Sequence, residues 1–239
     1  MRSAASYIAP GMFDVDAPRA WPFGDLVPGA YDLIMADPPW RFELRSAAGE
    51  EKSPQAHYAT MSLDEIARLP VADLAAPDCM LWLWGTAPML RDQYDIAAAW
   101  GFTPKSSGVW VKTTRNGKIG FGTGYILRNA HEPFIIATRG APVTTRTVRS
   151  VVMGELREHS RKPDAAYRAA EQLMPHARRA SLFERPIRPG WDGWGHEYGL
   201  PIEPRKIFRG AADSRSRKGS TDPGALLDGA ADDEAPQML

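Results

Sequence analysis

"YDLIMADPPWRF", Tyr31 to Phe42, opens with an apolar run and then sets an acid, two prolines and a tryptophan side by side. Tyr31 to Ala36 reads as a short buried strand. Asp37, Pro38, Pro39 and Trp40 cannot continue it, because each proline removes a backbone donor and the residue before a proline is pushed out of helical space. The strand therefore ends in a stiff, extended segment that holds an acceptor-only carboxylate beside a broad indole. A rigid polar tip at the carboxyl end of a strand is where open α/β sheets place their chemistry. The residues alone also allow a plainer reading, a strand exit stiffened by prolines with Asp37 as a turn acceptor and Trp40 in the core.

Outward from this segment, strand and helix patterns alternate. Ser62 caps a helix through about Leu69, with Glu65 in the capping-box position. "CMLWLWG" is a second buried strand, and "PMLRDQYDIAAAWG" is a helix with proline in its first turn and glycine past its end. "SSGVWVKT" is a third strand, followed by the glycine-rich "RNGKIGFGTGY". "EPFIIATRG" is a fourth, "RTVRSVVM" an edge strand, a helix runs from Pro163 to about Met174, and "RRASLFERP" gives a last strand. Such alternation predicts a largely parallel, doubly wound sheet. Residues 41–59 are polar and read as a long loop over the strand end.

A chain of 239 residues, 44% hydrophobic and 24% charged, is enough for one α/β domain with a single core. The domain is expected over 21–205, between a flexible amino-terminal segment (1–20) and a disordered tail (206–239) poor in residues to bury. The single cysteine, Cys79, sits in an apolar run and reads as a buried small hydrophobe; no disulfide framework or thiolate zinc site can be built from it. His57, His131 and His159 lack a metal-ligand spacing, so no metal is expected. The apolar runs are strand-sized and the amino terminus lacks a signal-peptide core, which predicts a cytoplasmic protein with no membrane partner. Net charge is zero, yet Gly101 to His131 contains no acid while carrying Lys105, Lys112, Arg115, Lys118 and Arg128. A positive face toward a polyanion and ordinary solvated loops both fit that distribution.

Six stretches in order, "ADPPW" with "HYATMSLDEIARLP", "LWLWGT", "AHEPFIIATRG", "HSRKPD" and "SLFERPIRPGWDGWGHE", resemble the adenine N6-methyltransferases related to the catalytic subunit of the messenger-RNA adenosine methyltransferase. The resemblance covers about Tyr31 to Tyr198. It implies a Rossmann-like, circularly permuted α/β fold and S-adenosylmethionine as cofactor. The absence of a Gly-x-Gly-x-x-Gly fingerprint after an early strand disfavours a nicotinamide dehydrogenase.

On that resemblance Asp37, Pro38, Pro39 and Trp40 form the catalytic tetrapeptide. The Asp37 carboxylate and the Pro38 carbonyl would accept the two N–H bonds of the adenine amino group, and Trp40 would stack on the base. Lys162, beside Ser160, would reach the methionine carboxylate of the cofactor, which Asp37 also approaches. Phe183 and Arg185 would flank the cofactor, the arginine on the ribose. Glu184 stands where the family has a small residue, and would crowd the site if aimed at the cofactor. His196 and Glu197 take the place of the usual Asn-Glu pair near the cofactor, while Trp191 and Trp194 are read as packing residues. Tyr58 and Glu132 match positions near the target adenine. The expected partner is nucleic acid, DNA favoured over RNA, with a homodimer or a partner subunit left open. Two other functions compete: a non-catalytic nucleic-acid-binding or partner subunit, and methylation of cytosine or a protein amide, which commonly uses Tyr or Phe in place of Trp40.

Overall fold

β1 (Tyr31–Ala36) lies inside a seven-stranded sheet, parallel to β2 (Ala75–Trp84) on one side and to β6 (Arg179–Leu182) on the other. These elements come from a computed structural model that describes residues 21–41, 60–122, 126–156, 161–184, 186–196 and 198–199. All of them belong to the first of two compact units, Met1–Pro204; the second, Arg205–Leu239, lies outside the described residues, as do the expectations for 1–20, the 41–59 loop beyond Arg41 and the tail.

The sheet continues beyond β2 with β4 (His131–Arg139), β3 (Thr103–Thr113) and, at that edge, β5 (Val151–Glu155); β7 (Asp192–Trp194) joins β6 at the opposite edge. β4 runs antiparallel to both β2 and β3, and the other pairings are parallel, so one strand is reversed in an otherwise parallel sheet. The reversal follows from the β3–β4 connection, which supplies no helix to carry the chain back before the next strand. The strand that bears Asp37 opens the chain order and β6, which the resemblance assigns to the cofactor side, comes late, the permuted arrangement expected. One further strand, the three-residue β7, follows it.

Alternation along each strand gives the sheet two buried faces. Ile34, Ala36, Leu81, Leu83, Ile135, Ala180 and Leu182 face one core with Ile66, Ile96 and Trp100. Leu33, Met35, Met80, Trp82, Trp84, Trp110 and Phe134 face the other with Ala166, Tyr167 and Ala170. Trp82 stacks on Phe134 with ring centroids 4.1 Å apart.

Helices cover both faces. α1 (Leu63–Ala67) carries the capping box expected: the Glu65 amide donates to Ser62 Oγ at 3.2 Å and the Ser62 amide to Glu65 Oε2 at 2.7 Å. It ends earlier than the hydrophobic pattern suggests because Pro70 follows. A one-turn helix α2 (Val71–Leu74) then runs straight into β2. α3 (Leu90–Ala99) follows a 3-10 turn, Ala87–Met89, that contains Pro88, and closes at Gly101 with φ +77°, a backbone that favours glycine. α4 (Asp164–Leu173) follows Pro163 and packs on β5. Cys79 is buried, as expected.

Candidate active site

The tetrapeptide is pinned from three directions and by one bond of its own. The Asp37 amide donates to the Leu182 carbonyl at 3.3 Å, tying the exit of β1 to the exit of β6. The Trp40 amide donates to the Pro38 carbonyl at 2.8 Å, a tight turn about Pro39, and the Pro39 carbonyl accepts from the Met61 amide at 3.0 Å. The indole Nε1–H of Trp40 donates to the Trp84 carbonyl at 3.2 Å, at the end of β2. Two prolines supply the stiffness and three neighbouring elements fix the orientation.

Trp40 itself is only 4% exposed and sits in the core beneath the segment. Stacking of Trp40 on the target base, as the resemblance implies, would require this covered indole to open. In this conformation the indole is an anchor, because its N–H finds a buried carbonyl that would otherwise lack a partner and its rings find apolar neighbours. The Pro38 carbonyl already holds the Trp40 amide, yet a carbonyl has two lone pairs and can take a second donor.

Asp37 ends a chain of alternating charges. Lys162 Nζ lies 2.7 Å from Asp37 Oδ2 and 3.2 Å from Glu132 Oε2, and Lys112 Nζ lies 2.8 Å from Glu132 Oε1. Lys162 is 10% exposed, Glu132 20% and Asp37 25%. Charges removed from water to this degree persist only when paired, and two cations facing two anions meet that condition. Burial alone would push the Glu132 carboxyl up, but Lys162 and Lys112 outweigh it and hold its pKa at about 2. Burial likewise disfavours the Lys162 ammonium, and Asp37 and Glu132 outweigh that, raising its pKa above the ordinary lysine value. The Lys162 ammonium also lies 5.5 Å from the Trp84 ring centroid, within cation–π range.

Secondary structure brings these groups together from distant parts of the sequence. Glu132 is the second residue of β4, Lys112 the penultimate residue of β3, and Lys162 precedes α4. β3 and β1 point the same way, so their carboxyl ends and the start of β4 meet at one end of the sheet. Lys162 stands just before a helix yet is buried in these ion pairs rather than solvated.

Beyond the exit of β6, Phe183 adopts φ +64°, an uncommon and strained backbone for a bulky side chain. Its ring meets Trp194 edge-on with centroids 5.3 Å apart, and Trp194 meets Phe23 at 5.0 Å. Trp194 and the buried Trp191 pack as expected; Trp191 also donates from Nε1 to Glu171 Oε1 at 2.7 Å. His196, exposed, lies just past β7 on the same side as Phe183. Glu184 turns toward the α4 face of the sheet. Its carboxylate accepts from the hydroxyls of Tyr167, in a short contact, and Ser181, the latter at 3.1 Å, both on the α4 face of the sheet. Tyr58, Ser160, Arg185 and Glu197 lie outside the described residues.

Sequence reasoning missed Lys112 and Trp84. A signal for Lys112 was available: it shares strand parity with the buried Trp110, so its stem faces the core. None existed for the Trp84 carbonyl, which becomes a partner only when β1 and β2 are aligned. Among the described residues no group of three His, Cys, Asp or Glu side chains could hold a metal ion, and no helix is long and apolar enough to cross a membrane.

The site residues suit the methionine end of S-adenosylmethionine in their chemistry. Lys162 has three N–H donors for the two carboxylates it contacts, which leaves donor capacity for a third, and Phe183 marks a strained turn beside it at the neighbouring strand end. A family model, MT-A70, matches residues 31–197. The chain is 31% identical over 178 residues to an Arabidopsis thaliana protein named N(6)-adenosine-methyltransferase MT-A70-like, covering 71% of this chain and 24% of that one. It is 29% identical over 179 residues to the human N(6)-adenosine-methyltransferase catalytic subunit METTL3, covering 71% of this chain and 28% of the human protein. It is 28% identical over 186 residues to the Mycoplasma type II methyltransferase M.MunI, covering 70% of this chain and 77% of the relative. The chain thus spans about a quarter of the length of the first two relatives.

Proposed function

Because the chain belongs to the MT-A70 family, we propose that it transfers a methyl group from S-adenosylmethionine to the N6 amino group of adenine in a nucleic acid, DNA in preference to RNA. The observation that carries this reading is the Asp37 carboxylate, fixed at the exit of β1 and paired with Lys162 at 2.7 Å. The preference for DNA is motivated by the relative of comparable length, which is a type II methyltransferase.

The amino nitrogen of adenine is a poor nucleophile because its lone pair is delocalised into the ring. S-adenosylmethionine, when bound, supplies a methyl group activated by a sulfonium. The chain supplies position. Asp37 and the Pro38 carbonyl each accept one amino N–H, which turns the nitrogen lone pair out of the ring plane and along a fixed line. Holding a nucleophile in a near-attack arrangement can supply much of the barrier reduction in a direct displacement, so no covalent intermediate with the protein is required. Lys162 orients the Asp37 carboxylate and directs its remaining N–H toward the cofactor carboxylate. Glu132 keeps Lys162 in place when the adenine engages Asp37. Trp40 and the two prolines keep the acceptors from moving. On the family resemblance, Phe183, Arg185, Ser160, His196 and Glu197 would serve the cofactor, and Tyr58 and Glu132 the target adenine. The target base must leave its duplex stack or come from a single strand to reach Asp37.

The test is incubation of the purified protein with radiolabelled S-adenosylmethionine and, separately, single-stranded DNA, duplex DNA and RNA, followed by digestion to nucleosides. Wild type should yield N6-methyladenine, most on DNA, and Asp37→Ala should yield none. N4-methylcytosine as the product would overturn the base assignment. Absence of product on every polymer would move the chain to the partner-subunit reading.

A further inference from the structure

We propose that Phe121 and Arg128, on the connection between β3 and β4, form a stacking platform for a nucleotide that flanks the target adenine. This rests on the reading of the chain as a nucleic-acid adenine methyltransferase and adds a second contact site to it.

The connection rises from the distal members of the charge chain. Lys112 and Glu132 stand at its two feet, and the hairpin continues past the strands. The Gly120 amide donates to the Lys112 carbonyl at 2.8 Å, the Lys112 amide to Ala130 at 2.9 Å and the Gly122 amide to Asn129 at 2.8 Å. Phe121 and Arg128 therefore face each other across a backbone-paired stem at the end of the sheet where Asp37 sits. The Arg128 guanidinium lies 4.5 Å from the Phe121 ring centroid, and its Nε–H donates to the Gly122 carbonyl at 3.1 Å. The pair is oriented, yet more than half of Phe121 stays in water: it is 59% exposed.

An oriented aromatic left in water at the same end of the sheet as Asp37 invites a planar ligand, and every base offers a π face. Charge selects the polymer. The whole segment from Gly101 to His131 lacks an acid, and Arg115, Lys118 and Arg128 ride on this connection. The only acid that the described residues bring to these three is Glu155, 3.6 Å from Arg115, in an exposed pair. A phosphate backbone following the hairpin would meet unneutralised cations while one of its bases lay on Phe121. Ile126 and Leu127, 95% and 82% exposed, would suit a protein partner better than a strand of nucleic acid, so a protein occupant is the competing outcome.

The experiment uses a single-stranded oligodeoxynucleotide with one adenine and 5-iodouracil at successive flanking positions. Photo-crosslinking to the full chain, mapped by mass spectrometry, should place Phe121 on one neighbour of the adenine. In methylation assays Phe121→Ala should raise KM for the oligonucleotide roughly ten-fold, leave KM for S-adenosylmethionine where it was, and be rescued by Phe121→Trp. Arg128→Gln should flatten the salt dependence of binding by about one unit of log–log slope. The platform is overturned if product forms but Phe121→Ala leaves the oligonucleotide KM unchanged, or raises both KM values together. It is also overturned if the substitution alters only the oligomeric mass, which would give the face to protein. Crosslinking at Phe121 without any methylated product would uphold the platform and refute the catalytic reading, so the two failures are separable.

Discussion

Replacing Lys162 by methionine removes a cation that touches both Asp37 and Glu132 while keeping a side chain of similar length. Loss of one partner from a fully buried ion pair costs about 3–5 kcal/mol. Here the two carboxylates are 25% and 20% exposed, so water can partly resolvate them once Lys162 is gone. The expected loss is accordingly about 2–3 kcal/mol, a fall in Tm of roughly 4–12 °C for a chain of this size. The loss should also depend on pH in a defined direction. Glu132 has its pKa depressed from 4.5 to about 2, so its ion pairs stabilise the fold fully above 4.5 and lose that contribution as pH falls toward 2. Without Lys162 the depression is smaller, and wild type and variant should converge over that window. Urea denaturation at pH 7 and at pH 3.5 measures this, with midpoints well separated at pH 7 and closer at pH 3.5. Calorimetry at pH 7 should show that cofactor binding is lost. An equal gap at both pH values would mean that packing rather than charge is what Lys162 contributes. That result would refute the electrostatic ordering of Asp37.

Two further outcomes test the fold around the site. Gly108 lies in β3 against Phe134, and a Cβ there would fall against the Phe134 ring and 2.5 Å from the Ser150 carbonyl oxygen, so Gly108→Ala should destabilise by about 1–3 kcal/mol, read from urea midpoints. Cys79 is fully buried and its thiol is pushed up to about 12, chiefly by burial, so a disulfide reagent at pH 8 should leave it unlabelled until denaturant is added.

Much of this architecture was legible locally. Continuous apolar runs of strand length announced β1, β2 and β4, and proline and glycine bracketed α3. Ser62 and Glu65 announced α1 through a capping box whose geometry needs only four consecutive residues. Elements that depend on a distant partner were harder to see. β5 begins at Val151, later than its sequence pattern, because it exists only where β3 from Val109 onward offers a ladder. β7 is three residues long and becomes a strand only through pairing with β6. The stop of β6 at Leu182 lies in the left-handed backbone of Phe183, which no pattern of hydrophobicity encodes.

The active site divides along the same line. The sequence by itself determined that Asp37 would sit on a stiff tip after a buried strand, because two prolines restrict the backbone wherever the chain goes. It also determined which groups could carry the chemistry, since a carboxylate, a lysine before a helix and an acid entering a strand keep their donors and acceptors in any fold. Only the tertiary structure decided that Lys112, Glu132, Lys162 and Asp37 form one alternating chain, that the Trp40 indole is tied to the Trp84 carbonyl, and that Glu184 turns toward Tyr167. Those outcomes depend on strand direction and register between segments up to 125 residues apart, and Coulomb and hydrogen-bond energies act only at the contact distances such pairing creates.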